Sequence, residues 1–210
     1  MAPAHSVPVL ECPRRSFGDV TANAHAAAWH GVAPVDFREN VHGGLPLQAT
    51  HVRCAWDEAE FRVLFTCIDA HVWATMTQRD GPLWEEEVVE VFLDPVGDVQ
   101  NYFEFEVNPL NAVVDLALRR NRNGWKKEFT WDCEGFRSAV ERTDTGWNAE
   151  LAIPFHSILA EPLVAGAEWR VNFYRIDRPM DIPRELTAWS PTLMGTFHEP
   201  RRFGRVRFVE

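Results

Sequence analysis

The sequence predicts an all-β protein built as a β-sandwich. Three observations lead there. Short stretches alternate apolar and polar side chains with the two-residue period of a half-buried strand. Gly, Pro, Asn and Asp separate these stretches at close spacing, the punctuation of an all-β fold. No stretch carries the longer apolar period of an extended amphipathic helix. About ten strands result, arranged as one domain over residues 1–210.

Residues 1–48 read as irregular, with 1–28 an N-terminal extension; Pro, Gly and His are frequent there. Val7 to Leu10 is predicted as an edge strand. Trp29 is predicted as an anchor seated in the core. Gly43-Gly44-Leu45-Pro46 marks a loop. Val52, Cys54 and Trp56 then alternate with His51, Arg53 and Ala55. Phe61, Val63, Phe65 and Cys67 alternate in the same way beyond Asp57-Glu58-Ala59-Glu60, which makes a hairpin with position 54 opposite 63 and 67 opposite 50. Val72 to Thr77 reads as one more short strand.

The stretch from Arg79 to Pro95 organises the rest. A polar loop delivers Trp84 just ahead of Glu85, Glu86 and Glu87, and a strand follows. Val89, Val91 and Leu93 share one face; Val88, Glu90, Phe92 and Asp94 share the other. Both faces are largely apolar, as in a central strand. Glu90 is the exception. A carboxylate in mid-strand must be paired, solvated by a groove, or used. Arg175 and Arg79 are the candidate partners if its role is structural.

Beyond Pro95-Val96-Gly97-Asp98, Phe103, Phe105 and Val107 are predicted to face inward and Tyr102, Glu104 and Glu106 outward. Asn108 to Asn111 turns the chain, and Ala112 to Leu118 returns it. Arg119 to Lys127 reads as a basic loop holding Trp125. Phe136 to Arg142 and Trp147 to Ile153 flank a turn. Pro154 to Leu159 reads as a short helical turn. Trp169 to Ile176 is a strand with Val171, Phe173 and Arg175 on one face and Asn172, Tyr174 and Ile176 on the other. A Pro-rich loop follows, and Phe203 to Phe208 is the last strand.

Composition narrows the function. The chain has 31 acidic and 21 basic residues, a net charge of −10. This disfavours a nucleic-acid partner, whose phosphates call for a basic face. No apolar run approaches the ~20 residues of a membrane span. Residues 1–10 lack the basic start and apolar centre of a signal peptide, so the expected location as written is cytoplasmic, or secreted or periplasmic if a leader was removed. Cys54 and Cys67 lie about 13 Å apart along the ladder at ~3.3 Å per residue, beyond disulfide reach, so the cysteines are expected as buried free thiols. No HExxH, GxSxG or phosphate-binding glycine loop is present.

Several pieces, in order, resemble the family 9 carbohydrate-binding modules. They are Ala55-Trp56-Asp57 with Phe61-Arg62-Val63, Asp69, Leu83-Trp84, and Val89-Glu90-Val91-Phe92-Leu93-Asp94. Later come Phe105-Glu106-Val107-Asn108, Gly146-Trp147-Asn148-Ala149-Glu150, Ala152-Ile153-Pro154, Val171-Asn172-Phe173, Trp189-Ser190, Phe197-His198-Glu199-Pro200 and Phe203-Gly204. The resemblance runs from about Trp29 to Phe208. It implies a jelly-roll-like sandwich of two antiparallel sheets, often with structural calcium, and a place in carbohydrate catabolism. It implies a mono- or oligosaccharide ligand held between two aromatic rings, with polar side chains on its hydroxyls.

By this resemblance Trp84 and Phe197 are the two rings, Phe197 standing where the pattern carries Trp. Glu90 matches a hydroxyl-binding Glu. Glu106, Tyr174 and Met194 stand where the pattern carries Arg, Gln and Asn. The expected carbohydrate-binding residues are Trp84, Glu90, Phe197, Glu106, Tyr174 and Arg175. No metal ligand is assigned. Asp94 with Asp98, or Asp69 with Asp80, are the carboxylate pairs a calcium ion would use. The alternative reading is a glycoside hydrolase: Glu104 and Glu106 lie ~7 Å apart by strand rise, and with Glu90 they would form an acidic cleft suited to that chemistry.

Overall fold

The computed structural model describes residues 6–179 and 183–210. Its strands are β1 (Val9–Pro13), β2 (Val35–Asp36), β3 (Arg38–Glu39), β4 (Thr50–Trp56), β5 (Glu60–Ile68), β6 (Val88–Asp94) and β7 (Asn101–Val107). They continue with β8 (Val113–Asn121), β9 (Gly124–Glu128), β10 (Arg137–Thr143), β11 (Gly146–Pro154), β12 (Glu168–Asp177), β13 (Glu185–Ala188) and β14 (Gly204–Val209). One helical turn, α1 (Phe155–Ile158), follows β11. No helix of the described residues is long and apolar enough to cross a membrane.

The strands form two sheets. The larger runs β1-β14-β12-β6-β7-β8-β9, with β13 on the free part of the β12 edge and β3 on β13. The smaller runs β10-β11-β5-β4-β2. Pairing is antiparallel except between β1 and β14. The β4–β5 register places Cys54 opposite Val63 and Thr50 opposite Cys67, as the hairpin pattern predicts. All four cysteines are free and buried.

Alternation sorts the side chains into two apolar layers. Val89, Val91 and Leu93 of β6, Phe105 of β7 and Phe173 of β12 turn toward the smaller sheet. They pack with Val63 and Phe65 of β5 and with Trp147 and Leu151 of β11. The opposite face of the larger sheet carries a second layer: Val88, Phe92, Tyr102, Val114, Leu116, Tyr174 and Ile176. Leu83 covers it from the 3-10 turn Leu83–Glu85, and Phe197 and Phe203 cover it from the segment after β13. A sheet face capped by loops in this way can hold a binding site.

Four local expectations change. Tyr102, Glu104 and Glu106 do point away from the inter-sheet core but are buried, because the loops cover that face. Val72 to Thr77 joins no sheet. Its Thr75 and Met76 N–H groups donate to Glu86 at 2.7 and 3.2 Å, and Trp73 N–H reaches Glu87 at 3.4 Å, so carboxylates take the place of a partner strand. Residues 119–127 are a hairpin, β8 running into β9 with Asn121 opposite Gly124. Trp29 packs outside the smaller sheet with Val32, Ala55 and Leu64.

Candidate functional site

The floor of the site is the middle of β6 and its neighbours. Glu90 pairs with Tyr174 of β12 on one side and with Glu106 of β7 on the other. Glu104, two residues along β7, points to the same face. The two-residue period that makes β7 a strand thus brings three carboxylates under the covering loops. Oxygens from Glu90, Glu104 and Glu106 lie within 4.8 Å of one another, and all three residues are buried.

Above this floor lies a cleft of ≈ 280 Å³. Trp84, Glu90 and Phe197 all line it, with Glu104, Lys127, Arg184 and His198. Trp84 comes from the 3-10 turn just ahead of β6 and leans on Phe129, ring centroids 6.1 Å apart. Phe197 comes from the loop between β13 and β14. That loop is held by the outward side chains of β12. Asn172 donates to Ser190 O at 2.7 Å and accepts from Ser190 N–H at 3.0 Å. Tyr174 donates to Phe197 O at 3.0 Å.

Of the other expected residues, Tyr174 is fully buried beneath Phe197 and touches the cleft only through that ring. Glu106 lies below the lining. Arg175 does not reach the cleft. Its side chain points from the opposite face of β12, where it donates to Asp69 at 2.9 Å and to Ile68 O at 2.9 Å. The alternation that puts Tyr174 on the cleft side forces Arg175 to the other side. Met194 is half exposed and is absent from the lining. Arg79 pairs with Asp115 and Asp132, so neither candidate arginine neutralises Glu90.

The cations that do approach are Lys127 and Arg184. The Lys127 ammonium stands 3.6 Å from Glu104 and over the Trp84 ring, 5.3 Å from its centroid. Burial, and then the Glu104 charge, push the Glu90 carboxyl well above the ordinary range; Lys127 and Arg184 pull the other way. Burial, then Glu90 and Glu104, push Glu106 up as well. His198 is held below its usual value by burial. Its ring stacks on Phe92, and its Nδ1 lies 2.6 Å from the Tyr102 hydroxyl, within hydrogen-bond distance.

Lys127 and Arg184 were missed as site residues. A signal for Lys127 was present: Asn121-Arg122-Asn123-Gly124 is rich in turn residues, and reading it as a hairpin with Arg122-Asn123 at its tip makes residues 124–128 a strand beside β8. Arg184 and His198 are placed by long-range packing of loops, which no local pattern encodes.

The expected calcium pairs do not fit the ion, which takes about six to eight oxygen ligands. Asp94 accepts from Gly97 N–H at 2.6 Å and Val99 N–H at 3.0 Å, and Asp98 accepts from Gln100 and Asn101 N–H, so both close their own turn. Asp69 gathers instead with Glu87 and Asp177, and the Arg175 guanidinium reaches into that group, 2.9 Å from Asp69 and 3.4 Å from Asp177.

Comparison with known proteins agrees with this architecture. A Caldicellulosiruptor kristjanssonii family 9 carbohydrate-binding module in complex with cellotriose superposes with a TM-score of 0.72 at 14% identity, covering 96% of this chain and 93% of that one. The same kind of module from that organism in complex with glucose gives 0.69 at 15% identity, covering 94% and 95%. A Bacteroides uniformis protein described as a putative carbohydrate-binding protein gives 0.79 at 19%, covering 97% and 100%. In sequence, the Endo-1,4-beta-xylanase A of Thermoanaerobacterium saccharolyticum is 26% identical over 145 residues, which is 69% of this chain but 12% of that enzyme's length. The profile of the carbohydrate family 9 binding domain-like family matches residues 20–210. The β-sandwich, its loop-capped sheet face and this match over nearly the whole sequence assign the chain to the carbohydrate family 9 binding domain-like family.

Proposed function

We propose that the cleft binds the terminal ring of a mono- or oligosaccharide, stacked against Trp84 and Phe197, with Glu90 and Glu104 accepting hydrogen bonds from its hydroxyls. The observation that carries this is the convergence of Trp84 and Phe197, from two separate loops, onto the edge of a carboxylate floor. Aromatic faces suit the apolar C–H face of a pyranose, and a few convergent polar groups in a concave site fix orientation. A carboxyl group offers acceptor oxygens to sugar hydroxyls whether or not it is ionised. The glucose and cellotriose held by the similar modules support the same ligand class. A place in carbohydrate catabolism goes with this reading, since one sequence relative is a xylanase.

Binding is favoured over hydrolysis by the placement of the acids. A glycosidase flanks the scissile bond with two carboxyl groups. Here Glu90, Glu104 and Glu106 crowd on one floor, on two adjacent strands, with Glu106 beneath the lining.

The test is isothermal titration calorimetry with glucose, xylose, cellobiose, xylobiose and their borohydride-reduced forms. Saturable binding is expected for at least one sugar. Trp84→Ala is expected to lower its affinity about 30-fold, the ~2 kcal/mol of an aromatic anchor. Loss of binding on reduction would mark recognition of the chain end. No heat from any sugar, or binding indifferent to Trp84, would overturn the reading.

A further inference from the structure

The aromatic walls suit sugars in general, but the floor does not suit a neutral one alone. Three buried carboxylates share a space within 4.8 Å. Among the described residues, no N–H or O–H group donates to either oxygen of Glu106 or to Glu104 Oε2. Glu106 is 0% exposed and Glu104 2%, and His198 Nδ1 stands 3.9 Å from Glu104 Oε2, too far for a hydrogen bond. Buried acceptors left without donors are costly. With one long ion pair, Lys127 with Glu104, for three acids, the floor is short of positive charge.

The protein's own side chain shows what answers it. The Lys127 ammonium stands where the Trp84 ring face and the Glu104 carboxylate converge, 5.3 Å from the ring centroid and 3.6 Å from the carboxylate oxygen. That is a cation–π site backed by an acid. At 3.6 Å the pair is an ion pair but is too long for a hydrogen bond, so the ammonium is not fully seated. Lys127 belongs to the outermost strand of the larger sheet, and its side chain is 29% exposed, so it can withdraw to water at little cost. An ammonium fits this place better than a divalent metal ion does, because an aromatic face supplies no oxygen ligand.

We infer that the cleft selects an amine-bearing, cationic sugar, its ring against Trp84 and Phe197 and its ammonium group seated on Glu104 and Glu90, above the buried Glu106, in place of that of Lys127. This rests on the sugar-clamp reading and names the ligand class within it. An ammonium brings three N–H donors and a full charge to a floor short of positive charge. The net charge of −10 favours the approach of such a ligand. Burial first, and then the neighbouring acids, push the Glu90 and Glu106 carboxyls upward.

The test compares glucosamine, glucose and N-acetylglucosamine by calorimetry at about pH 6, below the ~7.7–8.0 at which an α-amino group titrates. N-acetylglucosamine keeps the nitrogen but caps its charge. Glucosamine is expected to bind at least about tenfold more tightly than either, a difference of ~1.4 kcal/mol. Glu106→Gln, isosteric and uncharged, is expected to narrow that gap at least several-fold. Should that variant fold poorly, Lys127→Met serves instead: removing the internal competitor is expected to tighten glucosamine binding. Trp84-dependent glucose binding without a glucosamine preference would overturn this inference and leave the sugar clamp standing. A preference unchanged in Glu106→Gln, or glucosamine binding weakened in Lys127→Met, would overturn the carboxylate assignment. Saturable binding of calcium alone, abolished in Glu106→Gln, would assign the floor to a metal and overturn the inference. Binding of none of the three sugars would overturn this inference, and the sugar clamp falls with it only if xylose, cellobiose and xylobiose also give no heat.

Discussion

The Phe197 ring lies flat on the Tyr174 ring, centroids 4.1 Å apart and planes within 18°, while the Tyr174 hydroxyl donates to the Phe197 carbonyl at 3.0 Å. One buried strand residue thus fixes both the ring and the backbone of a loop residue that walls the cleft. Tyr174→Phe keeps the stack and removes the hydrogen bond. It is expected to lower stability by about 1 kcal/mol and to weaken sugar binding several-fold, though residue 174 makes no ligand contact. Denaturant unfolding and calorimetry check the two effects.

Stability should fall as pH rises above the ordinary carboxylate range. The Glu87 carboxyl is pushed up to about 9, first by burial and then by Asp69. Glu90, Glu106, Asp94, Asp115, Asp177 and Glu185 are also raised, each chiefly by burial. A raised acid keeps its proton when folded and loses it when unfolded. Its stabilising contribution is full below the unfolded pKa and is lost as pH climbs to the folded one. His198, held low, works the opposite way near its own unfolded value. The carboxyls outnumber it, so Tm at about pH 8 is expected at least about 3 °C below that at about pH 5.5. Glu87→Gln should flatten this dependence. A Tm flat or rising over that window would refute the assignment.

The N-terminal segment is pinned by a buried ion network. Arg62, 1% exposed, pairs with Glu150 at 2.8 Å and with Glu60, donates to Gly18 O at 2.7 Å, and covers the Phe17 ring. Glu150 in turn accepts from the N–H groups of Thr21 and Ala22. Arg62→Met leaves Glu150 buried without its cation and is expected to cost about 3 kcal/mol. Hydrogen exchange across residues 17–29 should accelerate, with the cleft unaffected.

Gly146 opens β11 at φ +150°, and a Cβ there would stand 2.0 Å from Cys67 O. Backbone of the paired strand cannot step aside. Gly146→Ala is expected to destabilise by more than the ~1–3 kcal/mol of local backbone strain alone, read from denaturant unfolding.

The β4–β5 hairpin, the two-faced β6 and the faces of β12 were legible because a strand's side chains alternate whatever surrounds it. The same rule placed Glu104 and Glu106 on one face, and the pairing of β6 with β7 brings Glu90 beside them. It could not tell that this face is covered, so Glu104 and Glu106 read as solvated and proved buried. Val72 to Thr77 looked like a strand because extended backbone and strand share a pattern; its donors go to Glu86 and Glu87, a partner choice that residues 72–77 do not encode. Arg175 was grouped with the site although its own alternation with Tyr174 places it on the far face.

By itself, the sequence determined the sandwich, the register of its first hairpin, the free thiols and the family resemblance. These follow from local period, turn chemistry and the order of motifs. Tertiary structure decided what the carboxylates face. Trp84 and Phe197 are 113 residues apart in the chain, and Lys127 lies on a third segment; only the folding of loops over one sheet face brings them onto Glu90 and Glu104. That convergence depends on packing between distant segments, whose free energy no local stretch records.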